Sequence, residues 1–233
     1  MRYKRAYIDS LNLSGENLEA MFIYNENYCI EVAKNKSVFE PNKWKETFGK
    51  KLTPSIIDAR IVHTCLGLKL PIKTFAITPK RQTLEFAGLH GYNERSLLLM
   101  QTLNELKSWL LFTWVTRGDI AIDYIGMIPK KIIKRLSQTR KPKRIGHTTY
   151  WKTDKEKKTN RVMDIKIYSK TAKEKLDYPL MRLEFVFKSE YLKKLYFKDL
   201  QTIFKKMEKT IKRATGLNVK IQGIGSLACT RVS

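Results

Sequence analysis

Cysteine is scarce in this chain. Only Cys29, Cys65 and Cys229 occur among 233 residues. Three is an odd number, and no Cys-x-x-Cys spacing is present, so neither a disulfide framework nor a zinc site is suggested. The three histidines, His63, His90 and His147, are scattered. No apolar run approaches the ~18 residues of a bilayer-spanning helix. The opening Met-Arg-Tyr-Lys-Arg-Ala-Tyr-Ile-Asp carries basic residues but no apolar signal core. These absences lead to the expectation of a cytoplasmic protein with no membrane partner. Internal repeats and low-complexity linkers are lacking too. The most informative shortage is of acid: 22 Asp and Glu face 46 Lys and Arg, a net charge of +24. Such a chain repels itself unless a polyanion is near, so nucleic acid is the expected partner. The basic residues run through segments that read as structured rather than sitting in a tail. A solvated basic face, or docking on an acidic membrane, is the competing reading.

What is present supports a core. Hydrophobic residues make up 42% of the chain, which supports an ordinary core, and 233 residues are enough for one large domain or two small ones. Residues 1–70 are read as the N-terminal part of the same domain or a small accessory unit, and 71–233 as the main body. Tyr28 to Ala33 reads as a strand, with a loop or short helix from Pro41. Thr53-Pro54, followed by Ile56, Ile57, Ala59, Ile61 and Val62 and closed by Gly67, predicts a helix over 54–66. Residues 73–77 and 82–88 predict a hairpin with its turn at 78–81. Asn93 is placed to cap a long helix whose apolar stripe is Leu97, Leu98, Met100, Leu103, Leu106 and Leu110.

Residues 117–123 alternate, with Asp119, Ala121 and Asp123 on one strand face and Ile120 and Ile122 on the other. Pro129 starts a basic helix over 130–136, and residues 140–144 form a basic loop. Three strands then fall within 148–187. Asp164, Lys166, Tyr168 and Lys170 share one face of the second, and Arg182 and Glu184 share a face of the third. Ser189 is placed to cap a short helix, and residues 198–214 form another, ended by Gly216. Residues 219–227 read as a strand. Strands outnumber long helices, so the expected class is α+β, a central, mainly antiparallel sheet with helices packed on one face.

Several segments, in order, resemble a family, the Rep_trans replication initiation factors. Thr116-Arg-Gly-Asp-Ile-Ala-Ile-Asp123 resembles its Arg-x-Asp-x-Ala-x-Asp strand. Phe86-Ala-Gly-Leu-His-Gly91 resembles its Ser-Gly-x-Gly segment. Thr148-Thr-Tyr-Trp-Lys152 is similar to Thr-x-Tyr-x-Gly, with Lys152 in place of the glycine. Ile165-Lys-Ile-Tyr-Ser-Lys170 and Met181-Arg-Leu-Glu-Phe185 are similar to Arg-Ile-Tyr-x-Lys and Arg-x-Glu. Lys166 keeps the charge of the family's arginine without its guanidinium fork. The match runs over roughly residues 75–190 and no single motif is specific.

The resemblance implies a DNA nicking and joining reaction. A tyrosine attacks one strand at an origin, leaving a 5′-phosphotyrosine and a free 3′-OH, assisted by Mg²⁺ or Mn²⁺. Tyr168 is the expected nucleophile and Tyr150 its rival. A phenol of pKa about 10 needs help at neutral pH, which Lys166, Lys170 and Arg182 are placed to give. Asp119, Asp123 and Glu184 are the expected metal ligands; salt bridges to Arg117, Arg182 or lysines are the competing role. No His-x-His pair is present, so the two-histidine metal site of the other large initiator superfamily is absent. Arg117, Lys130, Lys131, Arg135, Arg140, Arg144 and Lys152 are the expected phosphate contacts. DNA, a host helicase and a second copy of the chain are the expected partners. A relaxase with the same chemistry, or a non-catalytic origin-binding protein, is the alternative.

Overall fold

The computed structural model describes residues 3–23, 25–32, 55–75, 78–152 and 163–224. Its centre is one eleven-stranded sheet. The strands are β1 (Lys4–Glu16), β2 (Tyr28–Val32), β3 (Ser55–His63), β4 (Lys69–Phe75), β5 (Thr78–Ala87), β6 (Trp114–Ile125), β7 (Lys143–Ile145), β8 (Thr148–Trp151), β9 (Met163–Ser169), β10 (Leu180–Phe187) and β11 (Val219–Ile221). They lie in the order β2-β3-β4-β5-β1-β6-β10-β9-β8-β7, all antiparallel. β11 adds in parallel to the first residues of β1. Among the described residues four α-helices accompany them: α1 (Glu94–Leu106), α2 (Lys130–Thr139), α3 (Lys170–Glu174) and α4 (Leu200–Thr215). The class is α+β.

One face of the central strands is apolar. Ile120 and Ile122 of β6, Leu183, Phe185 and Phe187 of β10, and Ile165 and Ile167 of β9 are buried there, as the period of two requires. Helix α4 covers it with Leu200, Ile203, Phe204, Met207 and Ile211. A side chain at Gly118 would come within 2.9 Å of Met207 Cε, so this glycine lets helix and strand close up. Gly216, at φ 76°, ends α4 in the left-handed region that a Cβ disfavours. Arg135 of α2 donates to the Arg213 carbonyl at 3.2 Å and ties the two helices together.

Several sequence expectations differ from the structure. Residues 55–63 are a strand, not part of a helix, paired with both β2 and β4. Their run of Ile and Val suits the pleated sheet, and a short apolar run does not separate the two periods. The hairpin of β4 and β5 forms, but residues 78–81 lie within β5 rather than at its turn. The register shift between Thr74 and Phe75 leaves Pro79 without a partner on β4, which its missing N–H tolerates. Residues 189–195 make successive turns instead of a helix, closing through Tyr191 and Leu192 N–H to the Lys188 carbonyl. Lys143 and Arg144 belong to a strand, β7, at the end of the sheet. The strand expected over 219–227 ends at Ile221, with residues 222–224 outside it, and its residues 225–227, like the expected loop or helix from Pro41, lie outside the described residues.

Candidate active site

The opposite face of the same strands is polar, and the register sets its rows. Asp123, Arg182 and Tyr168 stand side by side on β6, β10 and β9. In the next row Ala121, Glu184, Lys166 and Tyr150 align across β6, β10, β9 and β8. Arg182 is fully buried at the bottom of this face. Its Nε and Nη2 donate to the two Asp123 oxygens, each at 2.7 Å, and its Nη1 donates to Asp9 at 2.6 Å. Tyr92 donates its hydroxyl to Asp123 Oδ2 at 2.7 Å, and His90 Nε2 lies 3.1 Å from the same oxygen. The Tyr7 ring stacks on His90 at 4.0 Å. Burial alone would raise the Asp123 pKa, but the bonds from Arg182, His90 and Tyr92 outweigh it and hold the carboxyl well below its usual range. Asp9 goes the other way: burial lifts it, with Glu184 adding, against the pull of Arg182.

Above this floor, Glu184 accepts on both oxygens. Lys166 Nζ donates to Oε1 at 2.5 Å and the Tyr168 hydroxyl to Oε2 at 2.8 Å. Burial works to raise Glu184, and Lys166 with the phenol overcomes it, so the carboxyl stays ionised. Burial and the neighbouring Glu184 charge push the Tyr168 phenol well above its ordinary value. Asp119 receives Arg117 Nε at 2.9 Å and Nη2 at 2.6 Å, yet burial, with Glu184 adding, raises it to about 6. Lys170 is not on the strand face. It opens α3, immediately after β9, and its side chain is buried against Glu174 at 2.5 Å. Burial and Arg182 draw its pKa below the ordinary lysine value. Asn93 caps α1 by accepting from Ser96 N–H at 3.1 Å and donates to Glu174 at 2.6 Å. A cleft of about 520 Å³ opens over the group, lined by Asp119, Glu184, Lys166, Tyr168, Lys170 and Arg117 among others.

The structure thus brings Tyr168, Lys166, Lys170, Asp119, Glu184 and Arg117 to one cleft, with Arg182 and Asp123 beneath it. Tyr150 lines the same cleft from β8, with Lys152 Nζ 5.5 Å from its ring centre. Other expected phosphate contacts are spread out. Lys130 and Lys131 are exposed on α2. Arg144 donates to its neighbour, the Gly146 carbonyl. Arg140 turns inward and donates to the carbonyls of Met163, at 2.5 Å, and Trp151, so its guanidinium joins β8 to β9. Asp9, His90, Tyr92 and Glu174 are site members that sequence reading missed. Asp9 enters through a β-bulge: Ile8 pairs with Ile120 and Ser10 with Asp119, leaving Asp9 as the extra residue, with its carboxylate bonded to Arg182.

Asp119, Asp123 and Glu184 do not fit the divalent cation implied by the resemblance. Asp123 is saturated by Arg182, His90 and Tyr92, while Arg117 and Lys166 hold the other two. Among the described residues no group of three or more acid, histidine or cysteine side chains is placed to hold a metal.

The fold and this face define an α+β protein with a phenol, a carboxylate and an ammonium hydrogen-bonded in a cleft on an open antiparallel sheet. The same fold occurs in the rolling circle replication initiator protein from Geobacillus stearothermophilus, 15% identical, with a TM-score of 0.52 over 91% of this chain and 85% of that chain. Methanococcus jannaschii TBP aligns over 90% of this chain and 99% of that one at 15% identity, with a TM-score of only 0.29. No family model and no curated protein matches the sequence. No helix among the described residues is long and apolar enough to cross a membrane.

Proposed function

We propose that this chain nicks and rejoins DNA as a replication initiator, with Tyr168 as nucleophile. The observation that carries the reading is the 2.8 Å hydrogen bond from the Tyr168 hydroxyl to Glu184, whose other oxygen is held by Lys166. Its shared fold with a rolling circle replication initiator supports it, as does the net charge of +24.

The phenol passes its proton to Glu184 Oε2, and the phenolate oxygen bonds to the scissile phosphorus. The bond from phosphorus to the 3′ oxygen breaks, giving a 5′-phosphotyrosine and a 3′-OH. Lys170, with its lowered pKa, is the donor assigned to the departing oxygen. In the free protein Glu184 is a weak base because Lys166 neutralises it. An entering phosphate competes for Lys166, and each share of that ammonium it takes raises the proton affinity of Glu184. The base therefore strengthens as the substrate arrives, while Lys166 and Arg117 offset charge on the phosphate. The proposed partners are an origin duplex and its single strand; a host helicase and a second copy of the chain come from the family resemblance.

The test is covalent capture on supercoiled DNA carrying the cognate origin. Wild type should form a protein–DNA adduct and a nicked circle. Tyr168→Phe should form neither, and Tyr150→Phe should form both. An adduct that persists in Tyr168→Phe and disappears in Tyr150→Phe moves the nucleophile to β8. No adduct with wild type leaves a protein that only binds DNA.

A further inference from the structure

A second cleft, of about 490 Å³, opens elsewhere on the molecule and is lined by Arg81, Trp114, Thr116, Glu190, Lys193 and Lys194 among others. Its platform is aromatic. The Trp114 and Tyr196 rings lie 6.0 Å apart at 32°, and their backbones bridge. Val115 N–H to the Leu195 carbonyl and Phe197 N–H to the Thr113 carbonyl, both at 2.9 Å, pin the two segments together. Cations surround the rings: the Arg81 guanidinium lies 5.0 Å from the Trp114 ring centre, and Lys198 Nζ lies 5.6 Å from Tyr196 and 4.8 Å from Phe112. Phe112 is 71% exposed.

The register joins this platform to the candidate active site. Ser10, Asn12 and Ser14 share one face of β1 and pair with Asp119, Arg117 and Trp114 in turn. Between Arg117 and Val115, Thr116 is an extra residue. That bulge turns Trp114 to the face of Arg117 and Asp119; strict alternation would have sent it to the core face. The row through Glu85, Asn12 and Arg117 borders the first cleft, and the row through Thr83, Ser14 and Trp114 borders the second. The two are one step along β1 apart, about 7 Å. Asn12 Oδ1, in the first of these rows, is buried with no hydrogen-bond partner among the described residues.

We propose that this face is a single-stranded DNA track, with bases stacking at Trp114 and Tyr196 and the backbone running past Arg81, Lys193, Lys194 and Lys198 toward Tyr168. Cation-ringed aromatics along a groove are what a flexible polyanion with exposed base faces requires. A duplex keeps its bases stacked on each other and cannot use the platform. From Asp123, beside Tyr168, to Trp114, β6 spans about 30 Å, on the order of nine nucleotides at helical spacing and fewer if the strand is extended. The inference rests on the reading of the chain as a DNA-processing protein and adds where the strand lies.

The test is fluorescence anisotropy of the full chain with a labelled 15-nucleotide oligothymidylate, alongside the covalent-capture assay on wild type. Trp114→Ala should bind about 5- to 150-fold more weakly, the range expected for loss of base stacking, and Trp114→Phe should recover most of the affinity. Lys193→Glu combined with Lys194→Glu alters exposed positions; it should also weaken binding, and it carries the test if Trp114→Ala fails to fold. Unchanged affinity in the folded variants would overturn the track and assign the aromatic patch to a protein partner. If wild type forms no covalent adduct while the Trp114 dependence holds, the track stands and the nicking reading falls. If the adduct forms and affinity is insensitive to these changes, only the track falls.

Discussion

Arg182 carries more of this site than its place in a strand suggests. It is wholly buried, and its three donor nitrogens are committed to two carboxylates from two other strands. Such a cluster contributes little net stability, but removing one partner strands charge in a low-dielectric interior. Arg182→Leu leaves Asp9 and Asp123 without their cation and should cost about 3–5 kcal/mol, read as a fall in the urea midpoint of unfolding. Arg182→Lys should recover only part, because an ammonium does not supply the planar fork that bridges both acids. A lysine variant as stable as wild type would show that charge alone matters there. At this scale the sequence was informative about type and poor about pairing. The alternation at Asp119 and Asp123, and at Lys166 and Tyr168, placed each on the polar face. Whether a carboxylate faces a cation of its own chain depends on which strands become neighbours, and Asp9 and Arg182 are 173 positions apart.

Strands and helices repeat the lesson with a different cause. β6, β9 and β10 are legible because their alternation is unbroken where the site lies. β1 carries the same chemistry and sits at the centre of the sheet, yet its register slips at Asp9. The apolar pairs Ala6 with Ile8 and Leu11 with Leu13 are therefore out of phase, and no single period fits the segment. The bulge at Thr116 hides Trp114 in the same way. Helix α1 was legible from its cap, and Asn93 has a second role there. By donating to Glu174, it holds the partner of Lys170. Asn93→Ala should destabilise the protein by about 1 kcal/mol through loss of the cap. It should also slow nicking, since Glu174 is then freer to leave Lys170. A variant that loses stability and keeps the wild-type nicking rate would make the Asn93–Glu174 bond incidental.

For the whole molecule, the question is how much of the +24 charge meets DNA. Several of the 46 Lys and Arg are held internally instead. Arg182, Arg117, Lys166 and Lys170 each face a carboxylate, and Arg140 faces carbonyls. Lys143 and Arg144 lie on β7, at the end of the sheet, where charge discourages pairing with another chain. Lys130 and Lys131 sit on α2, apart from both clefts. The proposed track offers four cations, Arg81, Lys193, Lys194 and Lys198. Each single-strand phosphate neutralised contributes about −0.7 to the slope of log affinity against log salt concentration. Four contacts predict a slope near −3, or roughly 50-fold weaker binding between 50 and 200 mM salt. The Lys193→Glu and Lys194→Glu pair should flatten the slope by about 1.4. Titrating salt against oligothymidylate affinity separates two pictures that share the same net charge. A slope much steeper than −3, unmoved by that pair, would mean the strand spreads over the basic surface at large, and the sheet face would lose its claim to guide it.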